Sequence, residues 1–98
     1  MKITKKQDGT RLTIALEGRL DTITAPELEK ELKDSMDGAS ELTLDCAKLD
    51  SISSAGLRVL LTAHKAMGAK GGMKVTNVNE IVGEVFEVTG FADILTIE

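Results

Sequence analysis

Two adjacent serines, Ser53 and Ser54, stand just ahead of a glycine and an apolar run of helical period, and they are the residues best placed to carry chemistry. A hydroxyl at a helix N-terminus lies among free backbone amides and partial positive charge. It suits helix capping, and the same position tolerates an added phosphate. Nucleophilic catalysis asks for more, namely a base in reach and an oxyanion hole. The string Ile52-Ser53-Ser54-Ala55-Gly56 lacks the first glycine of a G-x-S-x-G elbow. His64 is the only histidine and falls about 15 Å along the helix that Ser54 starts, too far to deprotonate it. An enzyme is therefore disfavoured, and His64, at the edge of the apolar stripe, reads as partly buried packing. Cys46 is alone, which excludes an intrachain disulfide or a Cys-rich metal site and leaves a small buried hydrophobe. The glycine-rich Gly68-Ala69-Lys70-Gly71-Gly72 follows a helix and precedes a strand, so it reads as a helix stop and not a phosphate cradle. No metal or cofactor is implied.

The elements that position these residues follow from periodicity. Residues 3 to 7 and 10 to 17 flank Asp8-Gly9, and Leu12, Ile14 and Leu16 alternate with polar or small neighbours, which predicts an opening β-hairpin with a type I′ turn. Thr24-Ala25-Pro26-Glu27 fits a capping box, starting a helix with Leu28, Leu32 and Met36 on one face, a Glu29–Lys33 pair, and a stop at Gly38. Leu42, Leu44 and Cys46 predict a strand over 41 to 46, followed by a long polar segment from Ala47 to Gly56. A second helix runs from about Ala55 to Met67, with Leu57, Leu60, Leu61 and Met67 at helical spacing, and Met73 to Thr76 reads as a strand. Asn79 caps a third helix, with Ile81, Val82, Val85, Phe86 and Val88 facing the core and Gly90 ending it. Leu95 to Ile97 is expected as a last strand.

The order β-β-α-β-α-β-α-β predicts a single α/β domain over residues 1–98, with a mostly parallel sheet and an antiparallel N-terminal edge strand. Strand-to-helix loops of such a sheet share one rim. Segments 18 to 24, 47 to 55 and 77 to 79 should meet there, bringing Asp21, Thr22, Thr24, Asp50, Ser51, Ser53, Ser54, Asn77 and Asn79 together. Composition narrows the function classes further. At 98 residues the chain buries roughly 60 to 70% of its unfolded surface, enough for one core but not for a deep substrate cavity besides. A net charge of −4 with Phe86 and Phe91 as the only aromatics offers neither a phosphate footprint nor a stacking platform, so nucleic acid is not expected as a partner. Nowhere do about 18 apolar residues run together, so membrane insertion is not expected and the location is read as cytoplasmic, without a signal.

At these residues the chain resembles the STAS domains of bacterial anti-sigma factor antagonists. The resemblance is carried by Ile52-Ser53-Ser54-Ala55-Gly56-Leu57-Arg58-Val59-Leu60, by the Gly18-Arg19-Leu20-Asp21 loop leading to Ala25-Pro26, and by the strand Leu42 to Asp45. It implies a partner switch. Unphosphorylated, such a protein binds an anti-sigma factor that is also a serine kinase and so frees the sigma factor; phosphorylated, it lets go, and a serine phosphatase reverses the mark. Aligned on Gly56, the family's phosphoacceptor is Ser54, with Ser53 where the family often has Asp and Ala55 where it often has Ser or Thr. Asp21 matches the acidic residue of the first rim loop. The expected partner-binding set is Asp21, Thr22, Ser53, Ser54, Gly56, Leu57 and Arg58. A phosphoserine adds about −1.5 to −2 charges to a rim that already holds Asp21 and Asp50, which would repel a partner fitted to a neutral hydroxyl. The competing reading is a non-phosphorylated STAS subunit of a membrane transport or signalling assembly, in which Ser54 only caps a helix. A phosphoaspartate receiver fits poorly, because it needs an acidic cluster, an acceptor Asp at the third strand's end and a rim Lys.

Overall fold

A computed structural model describes residues 1–98. Strands β1 (Lys2–Asp8) and β2 (Arg11–Leu20) form the antiparallel hairpin, with β2 carrying its buried residues at alternate positions Leu12, Ile14 and Leu16. The two-residue loop is Gly9-Thr10, one position later than the expected Asp8-Gly9, since Asp8 pairs with Arg11. Only Gly9 has a positive φ, 63°. A type II′ turn asks for positive φ at its first central residue alone, so glycine at that one position suffices and the type I′ expectation is corrected.

Helix α1 (Ala25–Ser35) is followed by a short 3-10 turn over Met36–Gly38, then β3 (Glu41–Ile52), α2 (Ser54–Gly68), β4 (Met73–Thr76) and α3 (Glu80–Thr89). The sheet order is β1-β2-β3-β4, parallel from β2 onward. The chain steps the same way from β2 to β3 to β4, and right-handed crossovers then place α1 and α2 on the same face of the sheet. Burial agrees: Leu12, Ile14, Leu16, Leu42, Leu44, Met73 and Val75 are buried, whereas Arg11, Thr13, Glu41, Thr43 and Lys74 on the other face are not. The core lies between that one sheet face and the helices.

Strand β3 is twice the expected length. Two register shifts against β2, between Ala15 and Glu17 and between Gly18 and Arg19, each insert an extra residue on β3. Buried positions therefore step Leu42, Leu44, Cys46, then Leu49, then Ile52, so the period of two that marks a strand is lost after Cys46 while pairing continues. Gly18 takes φ 107° at the second shift, a conformation few other residues reach. The expected last strand shrinks to one parallel bridge, Val75 with Ile97, flanked by Val75 N–H to Thr96 O at 2.8 Å and Glu98 N–H to Val75 O at 2.9 Å. The 3-10 turn over Phe91–Asp93 extends its hold to the start of the expected strand, because the Ile94 and Leu95 N–H groups donate back to Phe91 O at 3.0 and 2.8 Å. On α3, Val82 and Phe86 are buried as expected, but Ile81 and Val88 face solvent.

Candidate functional site

The serine motif sits where β3 ends and α2 begins. Ile52 closes the strand, Ser53 is extended (φ −103°, ψ 176°) and serves as N-cap residue, and Ser54 is the first residue of α2. The turn is pinned to the neighbouring strand by the Ser53 N–H, which donates to Leu20 O at 2.9 Å, and Ser53 O accepts the first helical bond from the Leu57 N–H at 2.9 Å. Gly56 makes that close approach possible. A Cβ there would lie 2.7 Å from Leu20 Cγ and 2.9 Å from Ile52 Cγ1, so only hydrogen fits between α2 and the two strand ends.

The Ser53 hydroxyl does not cap the helix. Its Oγ is buried and has no hydrogen-bond partner, so the first amides of α2, which lack intrahelical acceptors, receive no side-chain acceptor from it. Ser54 is exposed on the solvent side of that same first turn. One turn on, Arg58 is also exposed and belongs to no ion pair. Residues four apart on a helix are surface neighbours, so Ser54 and Arg58 share a face. Gly56 and Leu57, expected in the partner-binding set, are both buried, Leu57 only 5% exposed, and they dock α2 on the core. Their place in the motif is to fix the helix that presents Ser54.

Asp21 holds the neighbouring loop. Its Oδ1 accepts from the Ile23 and Thr24 N–H groups, each at 3.0 Å, and from the Thr24 hydroxyl at 3.2 Å. The backbone hydrogen bond from Thr24 holds the Asp21 carboxyl below the usual carboxylate range against the opposing effect of desolvation, and the Ile23 N–H, the Thr24 hydroxyl and the Arg19 charge add to the lowering. Thr24 Oγ1 in turn accepts from the Asp21 N–H at 2.9 Å, and its single proton is shared between Arg19 O at 2.7 Å and the longer contact to Asp21 Oδ1. Asp21 thus caps the turn that leads into α1, and the Thr24 capping box expected from sequence does not form, since Thr24 has helical φ and ψ and its hydroxyl points back to the strand. The carboxylate still leaves Oδ2 without an intramolecular hydrogen bond, and Thr22 beside it is exposed.

This loop also carries Ile23, 82% exposed, a residue that sequence reasoning passed over. A β-branched apolar side chain between two threonines, in a turn whose backbone is held by Asp21, is the signal that could have found it. The remaining rim residues divide by role. Asp50 and Ser51 lie within β3; the Asn77 side chain donates to Asp45 Oδ1 at 3.0 Å, and Asn79 caps α3 by accepting from the Val82 N–H at 2.8 Å while donating to Leu49 O at 2.9 Å. They fasten the sheet edge. His64 is half-buried, with Nδ1 out of solvent and unpartnered. Burial pushes the Cys46 thiol up to about 12, with the Asp45 charge adding to it, so it stays protonated.

The STAS domain family model matches residues 2–98. BtrV of Bordetella bronchiseptica, named as a candidate anti-sigma factor antagonist, is 37% identical over 99% of this chain and 85% of its own length. In structure the chain resembles the anti-sigma factor antagonist SpoIIAA in its unphosphorylated form, with a TM-score of 0.84 and 16% identity over 99% of this chain and 88% of that one. Bacillus SpoIIAA in the phosphorylated form gives a TM-score of 0.76 and 15% identity over 99% and 91% of the two chains. At these identities the structural likeness speaks for the fold. No helix is long and apolar enough to cross a membrane.

Proposed function

The chain belongs to the STAS domain family, and from that premise we propose that it is a cytoplasmic anti-sigma factor antagonist, one STAS domain switched by phosphorylation of Ser54. Unphosphorylated, it binds an anti-sigma factor that is also a serine kinase; phosphorylated on Ser54, it releases that partner until a serine phosphatase restores the hydroxyl. The observation that supports this reading best is the state of Ser54 itself: an exposed hydroxyl on the first turn of α2, beside amides that no side chain caps. A phosphate there is favoured by the helix N-terminus, so modification leaves the fold in place. Its effect falls on the partner, since about −1.5 to −2 charges would be added to a contact fitted to a neutral group. The contact surface is Ser54 and Arg58 on α2 with Thr22, Ile23 and the free oxygen of Asp21 on the adjoining loop. Ile23 supplies the apolar area and the polar groups the register.

Two measurements test this. Mass spectrometry of the protein purified from its own host should find phosphate on Ser54 within the peptide spanning residues 49 to 58; phosphate on Ser51 or Ser53 alone would sink the assignment. Calorimetry against the anti-sigma factor kinase of the same host should show Ser54→Ala binding like the wild type and Ser54→Asp binding at least about tenfold more weakly. Ser54 is not the N-cap residue, so both variants should keep their stability to within about 0.5 kcal/mol. If both lose binding while folded, the hydroxyl is the contact and the charge switch is wrong.

A further inference from the structure

From residue 75 onward the chain carries Glu80, Glu84, Glu87, Asp93 and Glu98 and no Lys or Arg. On α3 these acids border an apolar ridge that the fold does not cover. Val82 and Phe86 are the α3 residues turned fully into the core. At 3.6 residues per turn, Ile81, Val85 and Val88 fall within about 60° of one another, just outside that buried stripe. Ile81 is 63% exposed, Val88 76%, and Val85 only partly buried. Glu80, Glu84 and Glu87 line the ridge on its far flank, and none of them joins an ion pair. Ile94 and Ile97, in the segment after α3, are also exposed. A solvated helix face would put polar residues at these positions. Aliphatic residues at i, i+4 and i+7 are instead the spacing by which one amphipathic helix receives another.

We propose that this face of α3 is a docking site for an amphipathic helix of a partner protein, one whose aliphatic stripe is flanked by Lys or Arg. Charge decides between the possible occupants. A second copy of this chain, packed two-fold on the ridge, would set Glu80, Glu84 and Glu87 of one copy close to the same residues of the other, a like-charge contact without compensation. A helix with basic flanks buries Ile81, Val85 and Val88 against its own aliphatic residues and neutralises the unpaired glutamates at the edge, where charge steers association and fixes orientation. The surface shares no residue with the serine motif, so it stands or falls apart from the anti-sigma reading.

The test uses the full-length chain, labelled with nitrogen-15, and a synthetic Leu/Lys amphipathic peptide of about 18 residues, long enough to form a helix. Saturable amide shifts confined to residues 80 to 89 and their packing neighbours are expected. An Ile81→Ser/Val88→Ser double variant, which keeps every charge and leaves the core untouched, should bind at least about tenfold more weakly with an unchanged melting temperature. Glu84→Gln/Glu87→Gln should weaken binding and flatten its salt dependence, and the Leu/Glu version of the peptide should not bind. The proposal is overturned if no saturable binding occurs, if the shifts map elsewhere, or if the Ser double variant binds as well as the wild type. Sedimentation showing a dimer that the Ser double variant abolishes would overturn it in favour of a second copy.

Discussion

If Gly56 is glycine because α2 must lie against Leu20 and Ile52, then Gly56→Ala should destabilise the protein although alanine is the better helix former. The added Cβ would stand 2.7 Å from Leu20 Cγ, 2.9 Å from Ile52 Cγ1 and 3.0 Å from Leu20 Cδ2. Comfortable carbon contacts are about 3.5 to 4.0 Å, so the neighbours must retreat by most of an ångström. Leu20 is fully buried and Ile52 nearly so, which leaves them little room. Overpacking of this kind costs about 1 to 3 kcal/mol. The helix-forming gain of alanine over glycine, about 1 kcal/mol in a helix interior, offsets only part of that and is smaller in a first turn. A net loss of about 1 to 2 kcal/mol would lower the melting temperature by about 5 to 15 °C in a domain of this size. Urea denaturation followed by circular dichroism measures it, and a double-mutant cycle identifies the cause. Leu20→Ala removes two of the three crowding atoms; placed in that background, Gly56→Ala should be neutral or stabilising, a coupling of about 1 to 3 kcal/mol. An equal loss in both backgrounds would refute the steric argument, as would a raised melting temperature for the single variant.

Gly71→Ala should be more damaging, about 2 to 4 kcal/mol, because its Cβ would fall inside contact with the Ser40 carbonyl oxygen, a backbone atom that also accepts the Gly71 N–H at 2.5 Å; a loss below 1 kcal/mol in chemical denaturation would contradict this. Ser53→Ala should be neutral or slightly stabilising, against the usual loss of about 0.5 to 2 kcal/mol at an N-cap, since the buried hydroxyl has no partner to lose. A loss of 1 kcal/mol or more would show that the hydroxyl caps α2 in solution. The Asp21 carboxyl is lowered in the fold, so its stabilising contribution is present above the ordinary carboxylate pKa of about 4 and disappears as pH falls through the folded value. Asp21→Asn should therefore melt below the wild type at neutral pH, with the gap closing in acid; thermal scans showing a constant gap would exclude the charge as the cause.

Sequence periodicity carried the fold wherever one rule governed an element. The α3 cap at Asn79, the short β4 and the Glu29–Lys33 pair, 3.6 Å apart in the structure, are local matters of residue type and spacing. It failed where two elements had to be known at once. The second half of β3 is held by pairing with β2 across two register shifts, and a shift erases the alternation that would announce a strand. The predicted burial of Ile81 and Val88 failed differently: an apolar residue on a helix reads as core, and nothing within α3 says how wide a stripe the sheet can cover. The glycines after α2 combine both cases. α2 ends at Gly68 with Ala69 as a right-handed C-cap, so the positive φ expected of the stop comes only at Gly72 (94°), beyond the cap, while Gly71 is required by the approach of Ser40, thirty-one positions earlier in the chain.

The candidate site divides along the same line, and the division is the one the proposed phosphorylation switch needs. Ser-Ala-Gly-Leu-Arg reads as one string, but its side chains part into two sets once α2 forms. Gly56 and Leu57 turn inward, the first by having no side chain and the second by filling the core, and they set the position of the helix against Leu20 and Ile52. Ser54 and Arg58, four apart, turn outward, and Arg58 joins no ion pair. Asp21 shows the same economy inside one residue, with Oδ1 holding the turn and Oδ2 left over. Replacing the inward set should move the helix and so shift stability and binding together, whereas replacing the outward set should change binding with stability nearly constant. A switch requires that separation, because a group that is modified and unmodified in turn has to leave the fold unaffected in both states.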